Sequence, residues 1–233
     1  MPTLLLSNST GPDGATLTHA LDWIADALGD ARRAVFVPYA AVTVSYDVYT
    51  ARIAAALAPL GVEVVSVHTA PSRSGAVDSA EALLVGGGNT FALLRAMQEA
   101  GLVAAVRARV AAGMPYVGWS AGAGVAGPTI RTTNDMPVVE PQGFGALGLV
   151  PFQINPHFTD AHPPGHRGET RRERLAEFVA ANPGVPVVGL PEGTALRVAD
   201  GRLTLLGADA APVFDADAPH GTPVSDLAAR LGM

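Results

Sequence analysis

The chain of 233 residues contains no cysteine, which is the first constraint on its chemistry. Without cysteine it can form no disulfide, offer no thiolate to a metal and use no cysteine as a nucleophile. Covalent catalysis through a side-chain hydroxyl would therefore depend on a serine or a threonine.

Charged residues are also scarce, at 15% of the chain, whereas hydrophobic residues make up 48%. This balance predicts a well-buried sheet and one sizeable core, which we interpret as a single domain over residues 1–233. Gly, Pro or a charged residue breaks each apolar run before it could span a bilayer, so we expect no membrane association. The net charge of −6 argues against a nucleic-acid surface.

The first residues, Met1–Asn8, lack the basic segment of a signal peptide and become polar too early for one. We therefore expect a cytoplasmic protein. The apolar helix faces suit either a core or a subunit interface, so the sequence is compatible with a monomer and with a homodimer.

Strands alternate with amphipathic helices through the first half of the chain. This alternation predicts an α/β fold in which helices flank both faces of a mostly parallel sheet. A late β-hairpin is predicted around Asp200-Gly201, the strongest short hairpin signal of the sequence. The first strands are expected at residues 3–7, 34–37, 62–67, 83–85 and 115–117.

One stretch, Gly118-Trp119-Ser120-Ala121-Gly122, fits the G-x-S-x-G pattern of a nucleophile on a tight turn between a strand and a helix. The preceding apolar residues predict the strand, and the small residues of Ala121–Ala126 predict a closely packed helix. Glycines suit this turn because the serine occupies a strained backbone region in which neighbouring Cβ atoms would collide. The turn would expose the Ser120 hydroxyl and leave the Ala121 N–H free to bind an oxyanion.

The strand at 83–85 runs into a glycine-rich loop, Gly86-Gly87-Gly88-Asn89. This loop lacks the G-x-G-x-x-G spacing and the P-loop lysine of nucleotide sites, which disfavours a phosphate-binding role. Functional groups in parallel sheets collect at the carboxyl ends of the strands. We therefore predict that the Gly88 N–H lies beside the Ala121 N–H as a second oxyanion donor.

A histidine follows the predicted apolar strand Leu149–Ile154, in the segment Asn155-Pro156-His157-Phe158. A histidine at a strand end, with its approach fixed by the preceding proline, is well placed to act as a general base. His162 and His166 complete a loose group of three histidines. Its spacing matches no usual zinc pattern and its prolines indicate a loop, so a metal site is disfavoured.

A catalytic histidine needs an acidic partner that fixes its tautomer. Glu192 lies directly after the predicted strand Val187–Leu190 and its following proline, and Asp135 and Asp160 are the alternatives. The order serine, histidine, acid differs from that of common α/β-hydrolases, in which the acid precedes the histidine. This order argues against a standard esterase fold but allows an analogous triad.

The predicted helix Arg167–Ala181 interleaves arginines with glutamates. Arg171, Arg172 and Arg174 could form only surface ion pairs at i,i+3 and i,i+4 spacing. Alternatively, one of these arginines binds a substrate carboxylate through two hydrogen bonds, with Arg131 as a second candidate.

Together these segments resemble the peptidase E family, the α-aspartyl dipeptidases, which are serine peptidases of the flavodoxin-like or class I glutamine amidotransferase-like fold. The run from Gly118 to Pro137 is the most specific part of the resemblance. The matching segments follow the family's order and together span most of the chain. The others are Gly86–Phe91, Ile154–Phe158, Gly165–Arg174 and Leu190–Gly193.

The resemblance implies Ser120 as the nucleophile, His157 as the base and Glu192 as the third member of a triad. It also implies hydrolysis of dipeptides that begin with aspartate, with a small peptide as the partner and with no metal or organic cofactor. Arg171 is then the expected ligand of the aspartate side chain. Further substrate-binding residues are expected at Asn89, Thr132 and Asp135.

Two other functions stay open at this point. A relative in the same superfamily, such as cyanophycinase, cleaves β-aspartyl bonds and would prefer β-Asp–Leu over α-Asp–Leu. A non-catalytic domain could instead bind a small ligand or a nucleotide through the glycine loops. A glutamine amidotransferase activity is disfavoured, because its nucleophile would be a cysteine.

Overall fold

The computed structural model describes residues 2–162, 165 and 167–233, in which eleven strands form two sheets. The strands are β1 Thr3–Leu6, β2 Arg33–Val37, β3 Glu63–Ser66, β4 Ala82–Val85, β5 Tyr116–Trp119, β6 Gln153–Phe158, β7 Val187–Pro191, β8 Ala195–Ala199, β9 Arg202–Leu206, β10 Ala211–Asp215 and β11 Ala218–Val224. The helices are α1 Leu21–Leu28, α2 Tyr46–Leu57, α3 Arg73–Asp78, α4 Thr90–Glu99, α5 Leu102–Ala111, α6 Ala121–Gly124, α7 Arg171–Ala181 and α8 Leu227–Leu231.

The larger sheet has seven strands in the order β3-β2-β4-β5-β1-β8-β9. Its first five strands pair in parallel, and β8 and β9 continue it in antiparallel fashion. Leu5 of β1 faces one buried cluster with residues of α3, α4 and α5, whereas Leu4 and Leu6 face a second cluster with residues of α1 and α2. Helices thus cover both faces of a mostly parallel sheet, which confirms the predicted fold class.

The late hairpin is the turn between β8 and β9. Asp200 and Gly201 both have positive φ angles, of 52° and 72°. Two central residues with positive φ are what a type I′ turn requires, and its twist matches that of the flanking strands.

A second sheet of four strands, in the order β11-β10-β7-β6, extends the predicted fold. One face contributes Ile154 and Val188 to the cluster that also contains Leu5, so this sheet shares the main core. The other face packs Phe158 and Phe214 against α7. Only the neighbouring strands β6 and β7 run parallel in this sheet, so their carboxyl ends lie together.

Two predicted boundaries on the approach to the site are wrong. The strand expected at Leu149–Ile154 runs instead over Gln153–Phe158 and therefore includes the histidine. The helix expected from Arg167 begins at Arg171, because the Thr170 side chain and Glu173 form a capping box that starts it there.

None of the helices that the structure describes has both the length and the apolar character needed to cross a membrane.

Candidate active site

Ser120 lies on a sharp turn between β5 and α6, with φ 52° and ψ −114°. A positive φ is uncommon for a serine and stores backbone strain. The flanking glycines are required by close packing: a Cβ on Gly118 would lie 2.3 Å from the Gly122 carbonyl oxygen. A Cβ on Gly122 would lie 2.1 Å from the carbonyl oxygen of Val85. The predicted strand, strained turn and helix are therefore all present.

Three side chains form a continuous row of hydrogen bonds across the two sheets. The Nε2 atom of His157 lies 2.8 Å from the Ser120 hydroxyl oxygen, and its Nδ1 atom lies 2.8 Å from Glu192 Oε1. Ser120 follows β5 of the larger sheet, whereas His157 lies on β6 and Glu192 follows β7 of the smaller one. The row is thus assembled where the carboxyl ends of strands from both sheets meet.

The backbone of His157 is held in an unusual conformation by a buried serine that sequence reasoning missed. His157 has φ 54° and sits at a bulge in the pairing of β6 with β7. Its N–H donates to the Ser7 hydroxyl oxygen at 2.9 Å, and that hydroxyl donates to the Leu190 carbonyl at 2.8 Å. Ser7 follows β1 and so joins the larger sheet to both strands that present the histidine and the glutamate. The available signal was a hydroxyl residue at the end of an apolar strand.

The glycine loop after β4 lies directly behind the serine. A Cβ on Gly87 would be 2.9 Å from the Cβ of Ser120. Gly88 has φ 132°, and a Cβ there would meet the Ala40 carbonyl oxygen at 2.3 Å, so only glycine fits. Gly88 and Ala121 each line a cavity that Ser120 also lines. Their role as oxyanion donors stays a prediction.

Two cavities border the row, and Ser120, His157 and Glu192 line both. The larger has a volume of about 690 Å³ and extends past the loop after β2 to helix α2. The smaller has a volume of about 300 Å³ and is bordered by the segment between Thr129 and Asp135 and by Arg171. A molecule bound at Ser120 can therefore extend to either side of the hydroxyl.

Of the three candidate acids, Glu192 is the one whose carboxylate contacts His157. Asp135 Oδ2 accepts from the N–H of Thr90 at 2.7 Å and from its hydroxyl at 2.5 Å, at the beginning of α4. Asp160 accepts two hydrogen bonds from the Arg172 guanidinium, which hold the pKa of that carboxyl below its usual range.

Arg171 is the arginine of α7 that borders the site. Its Nη1 atom donates to the carbonyl oxygens of Pro156 and His157, and its side chain lines the smaller cavity. Burial lowers the pKa of its guanidinium, whereas the nearby Glu192 raises it. An arginine stays protonated despite such a shift, so Arg171 brings a fixed positive charge to the cavity.

The other candidate arginines are used elsewhere. Arg174 Nε lies 3.8 Å from Oε2 of Glu169, in an exposed ion pair. The two residues are five apart and Glu169 precedes α7, so this pair does not have the predicted i,i+3 or i,i+4 spacing. The Arg131 guanidinium lies 5.5 Å from the centre of the Phe178 ring, in a cation–π contact.

Asn89 and Thr132 line the larger and the smaller cavity, respectively. Asn89 caps α4 by accepting from the Ala92 N–H at 3.0 Å, and its amide nitrogen donates to the Met136 carbonyl at 2.8 Å. The buried Thr132 hydroxyl donates to the Ile154 carbonyl at 3.2 Å. Both side chains thus shape the cavity walls, and their contact with substrate stays a prediction.

The structure does not test the possible metal group of His157, His162 and His166, because His166 lies outside the described residues. Within the part of the chain that the structure describes, no three or more histidine and acidic side chains are grouped as metal ligands would be.

A family model and the curated relatives identify the same family for this chain. The model of Peptidase family S51 matches residues 3–206. Peptidase E of Citrobacter koseri is 54% identical over 216 residues, covering 93% of this chain and 94% of that protein. Peptidase E of Escherichia coli O1:K1 / APEC is 53% identical over the same shares. A peptidase from an acI-B1 Actinobacterium has a crystal structure that superposes with a TM-score of 0.71 at 15% identity, covering 97% of this chain and 94% of that chain, and so supports the fold. This chain belongs to peptidase family S51 and is a peptidase.

Proposed function

We propose that this peptidase is a serine dipeptidase that hydrolyses dipeptides beginning with aspartate. The observation that carries the proposal is the unbroken row Glu192–His157–Ser120, with 2.8 Å at each step, bordered by a cavity that contains Arg171. A nucleophile, a base within hydrogen-bond reach and an acid that orients the base are the parts of a serine-peptidase triad.

In the first half of the reaction, His157 accepts the Ser120 proton through Nε2 while the hydroxyl oxygen attacks the carbonyl carbon of the aspartyl residue. The N–H groups of Gly88 and Ala121 stabilise the resulting oxyanion. Losing one such donor typically costs about 10²–10³ in kcat. The imidazolium then gives its proton to the amine of the departing residue, which leaves the aspartyl group bound to Ser120 as an ester.

In the second half, His157 takes a proton from water as that water attacks the ester, and returns the proton to Ser120 as the aspartate is released. Glu192 accepts the Nδ1–H throughout, which keeps Nε2 unprotonated toward Ser120 and stabilises the imidazolium between steps. The glutamate does so while its side chain is 66% exposed. Its contribution is therefore expected to be smaller than that of a buried triad acid, because solvent screens its charge.

The smaller cavity supplies the proposed selectivity for aspartate. Within the described residues, Arg171 makes its protein hydrogen bonds through Nη1, which leaves Nε and Nη2 to bind the aspartate side chain. Asp135 lines the same cavity, and the hydrogen bonds that its carboxylate accepts from Thr90 and Thr133 all use Oδ2. Its Oδ1 atom is proposed to accept from the substrate's α-ammonium group.

The relatives' name, Peptidase E, is consistent with this reading. The proposal is tested by a kinetic screen of Asp–Leu, Glu–Leu, Asn–Leu, Ala–Leu and β-Asp–Leu with the unmodified enzyme. We expect kcat/KM to be highest for Asp–Leu by at least about tenfold, since Asn–Leu and Ala–Leu lose the charge pair with Arg171 and the longer side chain of Glu–Leu displaces its carboxylate from it. Preference for β-Asp–Leu would instead indicate the cyanophycinase-like activity, and absence of turnover with all five would contradict the proposal.

A second comparison tests whether Arg171 provides the selectivity for aspartate. Arg171→Ala should impair Asp–Leu hydrolysis far more than hydrolysis of a simple acyl ester, which reports on whether His157 and Ser120 are still intact. Arg174→Ala, an exposed change on the same helix, is the matched control and should alter neither rate. Equal losses of both activities in Arg171→Ala would assign Arg171 to positioning His157 through its carbonyl instead.

A cytoplasmic location and a monomeric or homodimeric state belong to the same proposal. Cell fractionation and light scattering on the purified protein test them.

A further inference from the structure

Arg52 brings a second positive charge to the cavities around Ser120. It lies on α2, is solvent-exposed and lines the larger cavity, of about 690 Å³. In the described part of the chain, no carboxylate lies within ion-pair distance of its guanidinium. Two other exposed arginines, Arg33 and Arg95, have acidic partners, whereas Arg73 and Arg202 have none among the described residues. What distinguishes Arg52 is therefore its place in the wall of the larger cavity.

The position of Arg52 relative to the nucleophile follows from Tyr49, one helical turn before it. The Tyr49 hydroxyl donates to the Gly87 carbonyl at 3.2 Å and accepts from the Trp119 indole N–H at 2.9 Å. Gly87 lies against Ser120, so Tyr49 forms the wall behind the nucleophile. Residues at i and i+3 share a helix face, which puts Arg52 about 5 Å further along that wall.

The chemistry of the proposed reaction indicates what lies beside Arg52. If the aspartyl residue occupies the smaller cavity with Arg171, the departing residue occupies the larger cavity on the other side of Ser120. Departing residues differ in their side chains, and a cavity this size accommodates many of them. The group that every dipeptide presents there is the C-terminal carboxylate.

We propose that Arg52 binds the C-terminal carboxylate of the departing residue and so makes the enzyme selective for dipeptides with a free C-terminus. This inference rests on the proposed function. A positive charge at this position also reduces an electrostatic repulsion. An Asp–X dipeptide with an uncharged X side chain has a net charge of −1, the chain has a net charge of −6, and the Glu192 carboxylate borders both cavities. A cation at each end of the substrate offsets that repulsion locally.

The test compares Asp–Leu with Asp–Leu-amide, which differ only in the carboxylate. The unmodified enzyme should prefer Asp–Leu. Arg52→Gln should lose about tenfold in kcat/KM for Asp–Leu, mainly through KM, because a hydrogen-bonded ion pair to substrate is removed. The same variant should change by less than about twofold on Asp–Leu-amide, which cannot form that pair.

Two further variants make the result specific. Arg202→Gln removes the same charge from an exposed position on β9 and controls for the overall change in net charge. It should leave both rates unchanged. Arg52→Lys keeps the charge but not the planar fork, and should recover part of the Asp–Leu activity. Because Gln is a good helix former and the site is exposed, Arg52→Gln should unfold at the same temperature as the unmodified chain.

The outcomes separate this inference from the proposed function. If the unmodified enzyme hydrolyses Asp–Leu but Arg52→Gln loses nothing, or loses equally on both substrates, the role of Arg52 is overturned while the function stands. If the unmodified enzyme hydrolyses neither substrate, the proposed function fails and this inference fails with it.

Discussion

Among the residues that the structure describes, two rows have a serine, a histidine and a carboxylate hydrogen-bonded in series. One is Ser120, His157 and Glu192. In the other, the Ser66 hydroxyl lies 2.5 Å from His68 Nδ1, and His68 Nε2 lies 3.1 Å from Asp47 Oδ1. The second row ties the end of β3 to the first turn of α2.

The two rows differ in their surroundings. Ser66 has an ordinary extended backbone, with φ −82°, whereas Ser120 is held at φ 52°. Ser66 itself is only 9% exposed, and it lines neither of the two cavities beside Ser120. The same types of residue at hydrogen-bond distance therefore do not by themselves make a reactive serine. Reactivity needs a turn that presents the hydroxyl, an adjacent cavity and donors for the oxyanion.

The largest expected difference between the rows comes from removing each serine. Ser120→Ala should lower kcat for Asp–Leu by about 10⁶-fold, because the nucleophile is lost and only binding and the oxyanion donors remain. Ser66→Ala should keep kcat within about twofold and instead lower the free energy of unfolding by about 1 kcal/mol, the contribution of one hydrogen bond. Kinetics and thermal unfolding of both variants measure this. Comparable losses of activity in the two would remove the distinction.

A smaller difference is expected from the acids. Glu192→Gln should lower kcat by about 10²-fold or more, since an amide no longer stabilises the imidazolium or enforces its tautomer. Asp47→Asn should leave kcat unchanged, and its effect on stability should stay below about 1 kcal/mol because Asp47 is 81% exposed. Steady-state kinetics with Asp–Leu decides, and a fully active Glu192→Gln enzyme would show that His157 needs no acid.

The smallest effect is expected from changing a residue that packs against Ser120, rather than one of the three residues of the row. Gly87→Ala places a methyl group 2.9 Å from the Ser120 Cβ, and a shift of about 1 Å in the nucleophile can cost up to about 10²-fold in rate. Gly145→Ala, at a position that lines neither cavity, adds a methyl group that meets no atom within 4 Å and is the matched control. The two variants should differ in kcat with Asp–Leu while both remain folded. Equal rates would show that the methyl group on residue 87 fits behind Ser120 without displacing the nucleophile.

The row at Ser120 was predictable from sequence because each of its members lies at or next to the end of a strand. Ser120, His157 and Glu192 each carry a local signal: a glycine-flanked turn, a preceding proline, and a position between proline and glycine. Ser7 carries only the weaker signal of a hydroxyl residue at the end of an apolar strand, since its role depends on how the smaller sheet meets β1. The row at Ser66 was missed for the same reason, because α2 must pack beside β3 before Asp47 can reach His68.

The fold shows the same division between local signals and tertiary context. The apolar strands and the Asp200-Gly201 hairpin were predictable because their periodicity or turn chemistry is local. Strands β10 and β11 were not predicted: Pro212, Pro219 and Pro223 interrupt the strand pattern, and these segments become strands through pairing with β7 and with each other. Helix α3 was also missed, because it is six residues long and buries little besides Val77.

The most direct test of the account is to locate the reactive serine chemically. An aspartyl phosphonate ester, which resembles the substrate and forms a stable bond with an activated serine, is incubated with the enzyme and the labelled peptide is identified by mass spectrometry. The account predicts one label per chain, on Ser120, which is suppressed by Asp–Leu and absent from Ser120→Ala. A label on Ser66, or inactivation with Ser120 unlabelled, would contradict it.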